Sequence, residues 1–269
     1  MVMGDITRID TVQQYCDLFE VEALHPLVSV VNCYEVQPIR HSKKLYNIYA
    51  VLLKDTDCGT MNYGRSLYDY EKGSMLFIAP GQVFGHEADG STFTGSGWCL
   101  LFHPDLLHGF PLEKHIKEYS FFDYRVNEAL HMTDEEHDIL VSLMRQIQDE
   151  LCKKPDELQN TILVGYIELM LNFCQRFYNR QFLTRKVENS DILVRFDRLL
   201  RDYFEDKLQL TLGLPSVQYC ADKLCLSPNY FGDVIKKTTG DTASNHIRRF
   251  IIRLAKNGLA AGETVSQVS

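Results

Sequence analysis

Leu214-Pro-Ser-Val-Gln-Tyr-Cys-Ala-Asp-Lys-Leu-Cys-Leu-Ser-Pro-Asn-Tyr-Phe-Gly-Asp-Val-Ile-Lys-Lys-Thr-Thr-Gly240 is the stretch on which the reading of this chain turns. Val217, Cys220, Ala221 and Leu224 fall at i, i+3, i+4 and i+7, one face of a first short helix. Ser227 then has the oxygen an N-cap needs, and Pro228 sits where its missing N–H costs nothing. Phe231, Val234 and Ile235 repeat the apolar spacing, and Gly240 after Lys236 and Lys237 predicts a stop. Two short helices with an apolar inner face and a polar outer face predict a helix-turn-helix, whose second helix would enter a DNA major groove.

The same stretch carries a family resemblance. Ala221-Asp-Lys-Leu224, Leu226-Ser227, Tyr230-Phe231, Ile235-Lys-Lys237 and Thr239-Gly240 are followed by Ile247-Arg-Arg-Phe-Ile-Ile-Arg-Leu-Ala-Lys256. Together they resemble the first half of the DNA-binding domain of AraC/XylS-type transcriptional regulators. The resemblance implies two helix-turn-helix units joined by a long helix, here over Ile247–Asn257. It implies that Asn229, Gly232 and Asp233 face the bases, while Ser227, Asn229 and Lys236 hold phosphates. Asn can bond adenine bidentately and Asp can accept from cytosine N4, whereas Gly232 has no side chain and Asp233 is repelled by phosphate. Gly262-Glu-Thr-Val-Ser-Gln-Val-Ser269 resembles the opening of the second unit, which is therefore expected to be truncated at Ser269.

Upstream the pattern changes from helix to strand. Val28–Val31, Tyr46–Leu53, Ser66–Tyr70, Met75–Ile78 and Trp98–Phe102 are short apolar or alternating runs. Turn clusters such as Lys54-Asp-Thr-Asp-Cys-Gly59 and Asp89-Gly-Ser-Thr92 separate them, predicting a small sandwich or barrel. Tyr70-Glu-Lys-Gly-Ser-Met-Leu-Phe-Ile-Ala-Pro-Gly-Gln82 resembles the cupin signature of AraC-type effector domains, with Trp98-Cys-Leu-Leu-Phe-His-Pro104 as the strand after it. The implied fold is α+β: an N-terminal cupin-like β-barrel with following helices, then an all-α helix-turn-helix domain. A small-molecule effector, often a sugar or related metabolite in that family, would bind the barrel. Arg40, Tyr49, Tyr68, His86 and Trp98 are the candidate lining, with Arg40 as an anion partner and Trp98, the sole tryptophan, able to stack on a ring.

Between barrel and helix pair, Thr133 and Glu136 form a capping-box pattern that opens a helix striped by Ile139, Leu140, Leu143, Met144, Ile147 and Leu151. A second helix is predicted from about Asp156 to Tyr178. Its apolar residues, from Leu158 and Ile162 to Leu169 and Phe173, are too many for one face, so it packs on two sides. Helices in this position pair AraC-type barrels, which implies a homodimer through residues 132–178; covering their own barrel is the alternative. Arg180 to Asn189 is polar and reads as a link to a helix near Ser190. The expected division is therefore 1–125 effector barrel, 126–180 helical packing segment, 181–189 linker and 190–269 DNA-binding domain.

The 269 residues, 45% of them hydrophobic, suffice for two domains with separate cores. The net charge of -8 is unevenly spread: from Ser190 on there are 11 Lys and Arg against 9 Asp and Glu, so the acidity lies upstream. A weakly basic domain predicts modest, salt-sensitive DNA binding. The eight cysteines show no Cys-x-x-Cys, and no His-x-His occurs, so neither a zinc site nor a disulfide frame is expected. No catalytic triad, Gly-rich phosphate loop or carboxylate pair stands out, and no cofactor is expected. Without an apolar run of about 18 residues or a secretory leader, a cytoplasmic protein without membrane contact is the expectation. The leading reading is thus a sequence-specific, effector-responsive regulator binding double-stranded promoter DNA. The alternative is a truncated sensor or interaction protein that dimerises without binding DNA on its own; a cupin enzyme comes third.

Overall fold

A computed structural model describes residues 6–55, 61–63, 66–68, 73–85 and 90–260. The fold is mixed α and β, in two compact units, Met1–Asn179 and Arg180–Ser269.

The first unit opens with β1 (Thr7–Ile9) and α1 (Val12–Leu18), the latter started by a capping box between Thr11 and Gln14. Strands β2 (Val28–Asn32), β3 (Ile39–Arg40), β4 (Lys43–Tyr46) and β5 (Tyr49–Lys54) follow. Next come β6 (Met61–Tyr63), β7 (Ser66–Tyr68), β8 (Ser74–Ile78) and β9 (Gln82–Gly85). After β10 (Thr92–Phe93) and β11 (Gly97–Phe102) come the short α2 (Leu112–His115) and β12 (Leu130–His131). A five-stranded antiparallel sheet has the order β12-β8-β5-β11-β2. A three-stranded sheet has the order β1-β4-β9, and two-stranded pairs join β3 to β10 and β6 to β7.

The alternation of side chains along β5 and β11 decides which residues meet where. On one face Val31, Ala50, Leu52, Leu76, Ile78, Cys99 and Leu101 form a core with Ile9, Tyr46 and the α1 residues Val12, Tyr15 and Cys16. On the other, Val51 lies opposite Leu100 and Phe77 in register, and Phe77 packs on Phe121, Phe122 and Tyr178.

The run Tyr46–Leu53, predicted as one strand, is two. Asn47 N–H donates to the Ile9 carbonyl at 2.8 Å, and its amide donates to Asp10 Oδ1 at 2.5 Å. Those bonds hold a corner at which β4 leaves the small sheet and β5 enters the large one. Ser66–Tyr70 is a strand as far as Tyr68; residues 69–72, including the start of the cupin-like run, lie outside the described residues.

α3 (Asp134–Leu151) has the predicted capping box, Thr133 Oγ1 accepting from Glu136 N–H at 3.3 Å and Glu136 Oε2 accepting from Thr133 N–H at 3.0 Å. α4 (Gln159–Thr184) is longer than the sequence predicts. The polar residues read as a linker are helical: Gln181–Thr184 finish α4, Lys186–Asn189 open α5 (Lys186–Glu205), and Arg185 alone separates them. Three of those residues, Gln181, Phe182 and Asn189, are buried, and Asn189 Nδ2 donates to the Phe182 carbonyl at 2.6 Å across the break. Side-chain polarity alone did not reveal this packing.

In the second unit α5 is followed by α6 (Gln209–Leu212), α7 (Val217–Lys223), α8 (Pro228–Thr239) and α9 (Ala243–Ala260). Phe196 and Leu200 of α5 share a core with Cys220, Ala221, Leu224, Phe231, Ile235, Ala243 and Ile247. Phe196 meets Phe231 edge-on at 4.9 Å. Residues 262–269, expected to open a further helical unit, lie outside the described residues. Among the described residues no helix is long and apolar enough to cross a membrane.

Candidate functional site

Two features carry chemistry: the outer face of α8 and an interior cavity of the first unit. α7 is C-capped by Leu224, and the next residue, Cys225, turns left-handed at φ 62°. Leu226 N–H then donates to the Ala221 carbonyl at 2.9 Å and Cys225 N–H to the Asp222 carbonyl at 3.1 Å, a Schellman turn. Ser227 starts α8 at once: its Oγ accepts from Tyr230 N–H at 3.2 Å. Gly240 at φ 76° ends it with its N–H on the Lys236 carbonyl.

With both ends fixed, α8 presents two opposite faces. Tyr230, Phe231, Val234 and Ile235 are buried. Asn229, Gly232, Asp233 and Lys236, spaced i, i+3, i+4 and i+7, share the other face; Asn229 and Lys236 are exposed, Gly232 and Asp233 half-buried. Ser227 departs from the expectation of a phosphate contact: its hydroxyl is committed to the cap and the residue is 2% exposed. Arg248, Arg253 and Lys256 are exposed on α9, whereas Arg249 is paired with Asp241.

The cavity lies between β4 and the five-stranded sheet and encloses about 680 Å³ of empty space, counting its mouth. Tyr15, Phe19, Val36, Ile39, Leu52 and Phe84 give it mostly apolar walls. Gly85 lines it at φ 132°, where a Cβ would strike the Ser42 carbonyl. Lys44 also lines it and is buried, its Nζ donating to Ser42 Oγ at 2.8 Å. Burial pushes the Lys44 ammonium down from 10.5 to about 8, and it pushes the Tyr15 and Tyr46 phenols and the Cys99 thiol up.

Among the described side chains proposed from sequence for a pocket, Trp98 alone lines this cavity. It also borders a shallower cleft, where the Arg145 guanidinium lies 5.8 Å from its ring centre. In that cleft Tyr34 Oη donates to Asp55 Oδ2 at 2.5 Å, and His137 Nε2 bonds Asp55 Oδ1. Tyr49 sits on the opposite face of β5 from Ala50 and Leu52, stacked on Phe102 at 4.9 Å with Phe122 edge-on. Arg40 is exposed on β3, opposite Thr92. Tyr68 ends β7, and His86 lies outside the described residues. Lys44, Tyr15 and Ser42 were missed. The available signal was the alternation Lys43-Lys44-Leu45-Tyr46, which puts Lys44 on the same side as the inward-facing Tyr46.

No group of three or more potential metal-ligating side chains occurs among the described residues. No family model matches the chain, and a comparison with curated proteins returns no match.

Proposed function

We propose that this protein is a transcriptional regulator of the AraC/XylS type. In this reading α8 enters the major groove of promoter DNA, the first unit binds a small-molecule effector, and two copies pair through α3 and α4. The observation that carries it is the two-sidedness of α8, with Phe231, Val234 and Ile235 buried while Asn229, Gly232, Asp233 and Lys236 share the outer face. The family-like residues Ser227, Tyr230-Phe231 and Gly240 are the ones that cap and seat this helix. Lys236 and the exposed α9 cations supply phosphate contacts, and Asn229 supplies a base contact. A cavity with mostly apolar walls and a few polar groups, Lys44 and Ser42 among them, lies in the other unit, the kind of lining a small-ligand site has.

A second reading, a sensor that dimerises without binding DNA on its own, is favoured by Asp233, whose carboxylate is repelled by phosphate, and by the bare backbone at Gly232. A gel-shift series on promoter fragments and random DNA separates the two. Asn229→Ala is expected to cost about 1–2 kcal/mol on a bound promoter site and little on random DNA. Equal losses on both would refute base reading by α8. Failure of the wild-type chain to shift any promoter fragment would select the second reading.

A further inference from the structure

The cavity of the first unit holds a charge that no described residue of its walls neutralises. Lys44 is 5% exposed, and its Nζ bonds the Ser42 hydroxyl, with no carboxylate among the described residues paired to it. An ammonium taken out of water costs several kcal/mol unless an opposite charge joins it, and a hydroxyl supplies only a dipole. The side chain is nevertheless held inward by the strand, because Lys44 shares its face of β4 with the buried Tyr46. Phe19, Val36, Ile39, Leu52 and Phe84 surround the space beside it with hydrocarbon. Lys54 lines the cavity as well, and cationic groups beside apolar walls are complementary to a molecule with an anionic end and an apolar body.

We propose that this cavity binds a small apolar monocarboxylate, with Lys44 as the counter-ion of its carboxylate and Ser42 as a neighbouring hydrogen-bond partner. The predominance of hydrocarbon in the walls favours a ligand with an apolar body over a phosphate or a sugar. The proposal rests on reading the first unit as the ligand-binding part of the protein and names the class of ligand.

The test is calorimetric titration of the full chain with octanoate and phenylacetate, with octanamide and phenylacetamide as uncharged counterparts of nearly the same shape. The acids are expected to bind at least about 10-fold more tightly than the amides. Lys44→Met, which keeps the length of the side chain and removes its charge, is expected to weaken acid binding about 10- to 100-fold while leaving the amides unchanged. Equal affinity for acid and amide, unchanged acid binding by Lys44→Met, or no binding of either acid would each overturn the proposal. A gel shift with and without octanoate then addresses the regulatory reading separately. Lys44-dependent binding of the acid with no effect on DNA affinity sustains this ligand class and sinks the effector-response reading.

Discussion

Lys44 concentrates the physical chemistry of the first unit in one side chain. Its folded pKa of about 8 lies below the 10.5 of a free lysine, so between those values the unfolded chain binds a proton that the folded chain has released. Stability therefore rises with pH through this window as far as Lys44 is concerned, and its unfavourable contribution is fully present below about pH 8. The buried thiols act oppositely. Cys99 and Cys174 are pushed up from 9.0 by burial, so the unfolded chain ionises them first and stability falls above pH 9. Tyr15, Tyr46, Cys33 and Lys54 share the cavity with Lys44, and a comparison with a single variant leaves all four in place on both sides. Lys44→Met is expected to be more stable than wild type by up to about 3 kcal/mol at pH 7, an advantage that shrinks by about 1 kcal/mol at pH 9. Urea unfolding at the two pH values reads both quantities; a gap that stays constant with pH excludes a buried charge at this position.

At the scale of elements, the helix pair α7–α8 depends on its turn. Cys225 holds the left-handed conformation at φ 62° that a Schellman turn demands at this position, and that conformation suits glycine better than any residue with a Cβ. The two bonds of the turn, from Cys225 and Leu226 to the carbonyls of Asp222 and Ala221, involve backbone only. Cys225 is exposed, so its side chain adds little burial to set against the strain. Cys225→Gly is thus expected to raise stability by about 0.5–1 kcal/mol, part of the relief being lost to the greater freedom of glycine in the unfolded chain. Thermal unfolding measures it, and a lowered Tm would mean that the cysteine side chain has a packing role. The caps also explain what could be read from sequence. Ser227-Pro228, Gly240, and Thr133 with Glu136 are local signals, and α3 and α8 begin or end where those residues require. The corner at Asn47 and the helical course of 181–189 depend on distant partners, the Ile9 carbonyl and Asp10 in one case, the burial of Phe182 in the other. The side taken by Tyr49 was illegible for a related reason: both faces of β5 are buried, so alternation does not tell the cavity side from the aromatic side on which Tyr49 lies.

At the scale of the molecule, the proposed reading as a DNA-binding regulator raises the question of how few DNA contacts can give a useful affinity. The segment from Ser190 on carries only a small basic excess, and α8 offers few exposed donors, chiefly Asn229, Lys236 and Lys237. Pairing two chains makes the second binding event effectively intramolecular and raises avidity without a new contact type. α4 has the surface for it. Ile162, Tyr166, Leu169 and Phe173 recur at i, i+4, i+7 and i+11, with Leu169 45% exposed and Ile162 37%. Phe173 borders an open groove with Ile139 and Leu143 of α3. An apolar stripe of this period is what a self-associating helix presents, while Leu163, Ile167 and Met170 hold the opposite side in the core. If two copies pair through this stripe, placing carboxylates on it separates them without disturbing the fold. The double variant Ile162→Glu, Leu169→Glu is expected to sediment as a monomer with the helical circular-dichroism signal of the wild type. Its apparent affinity for DNA bearing two half-sites should fall at least about 100-fold, with little change on a single half-site. A wild-type chain that sediments as a monomer, or a double variant that remains dimeric, would remove α4 as the pairing surface and leave its stripe to another partner.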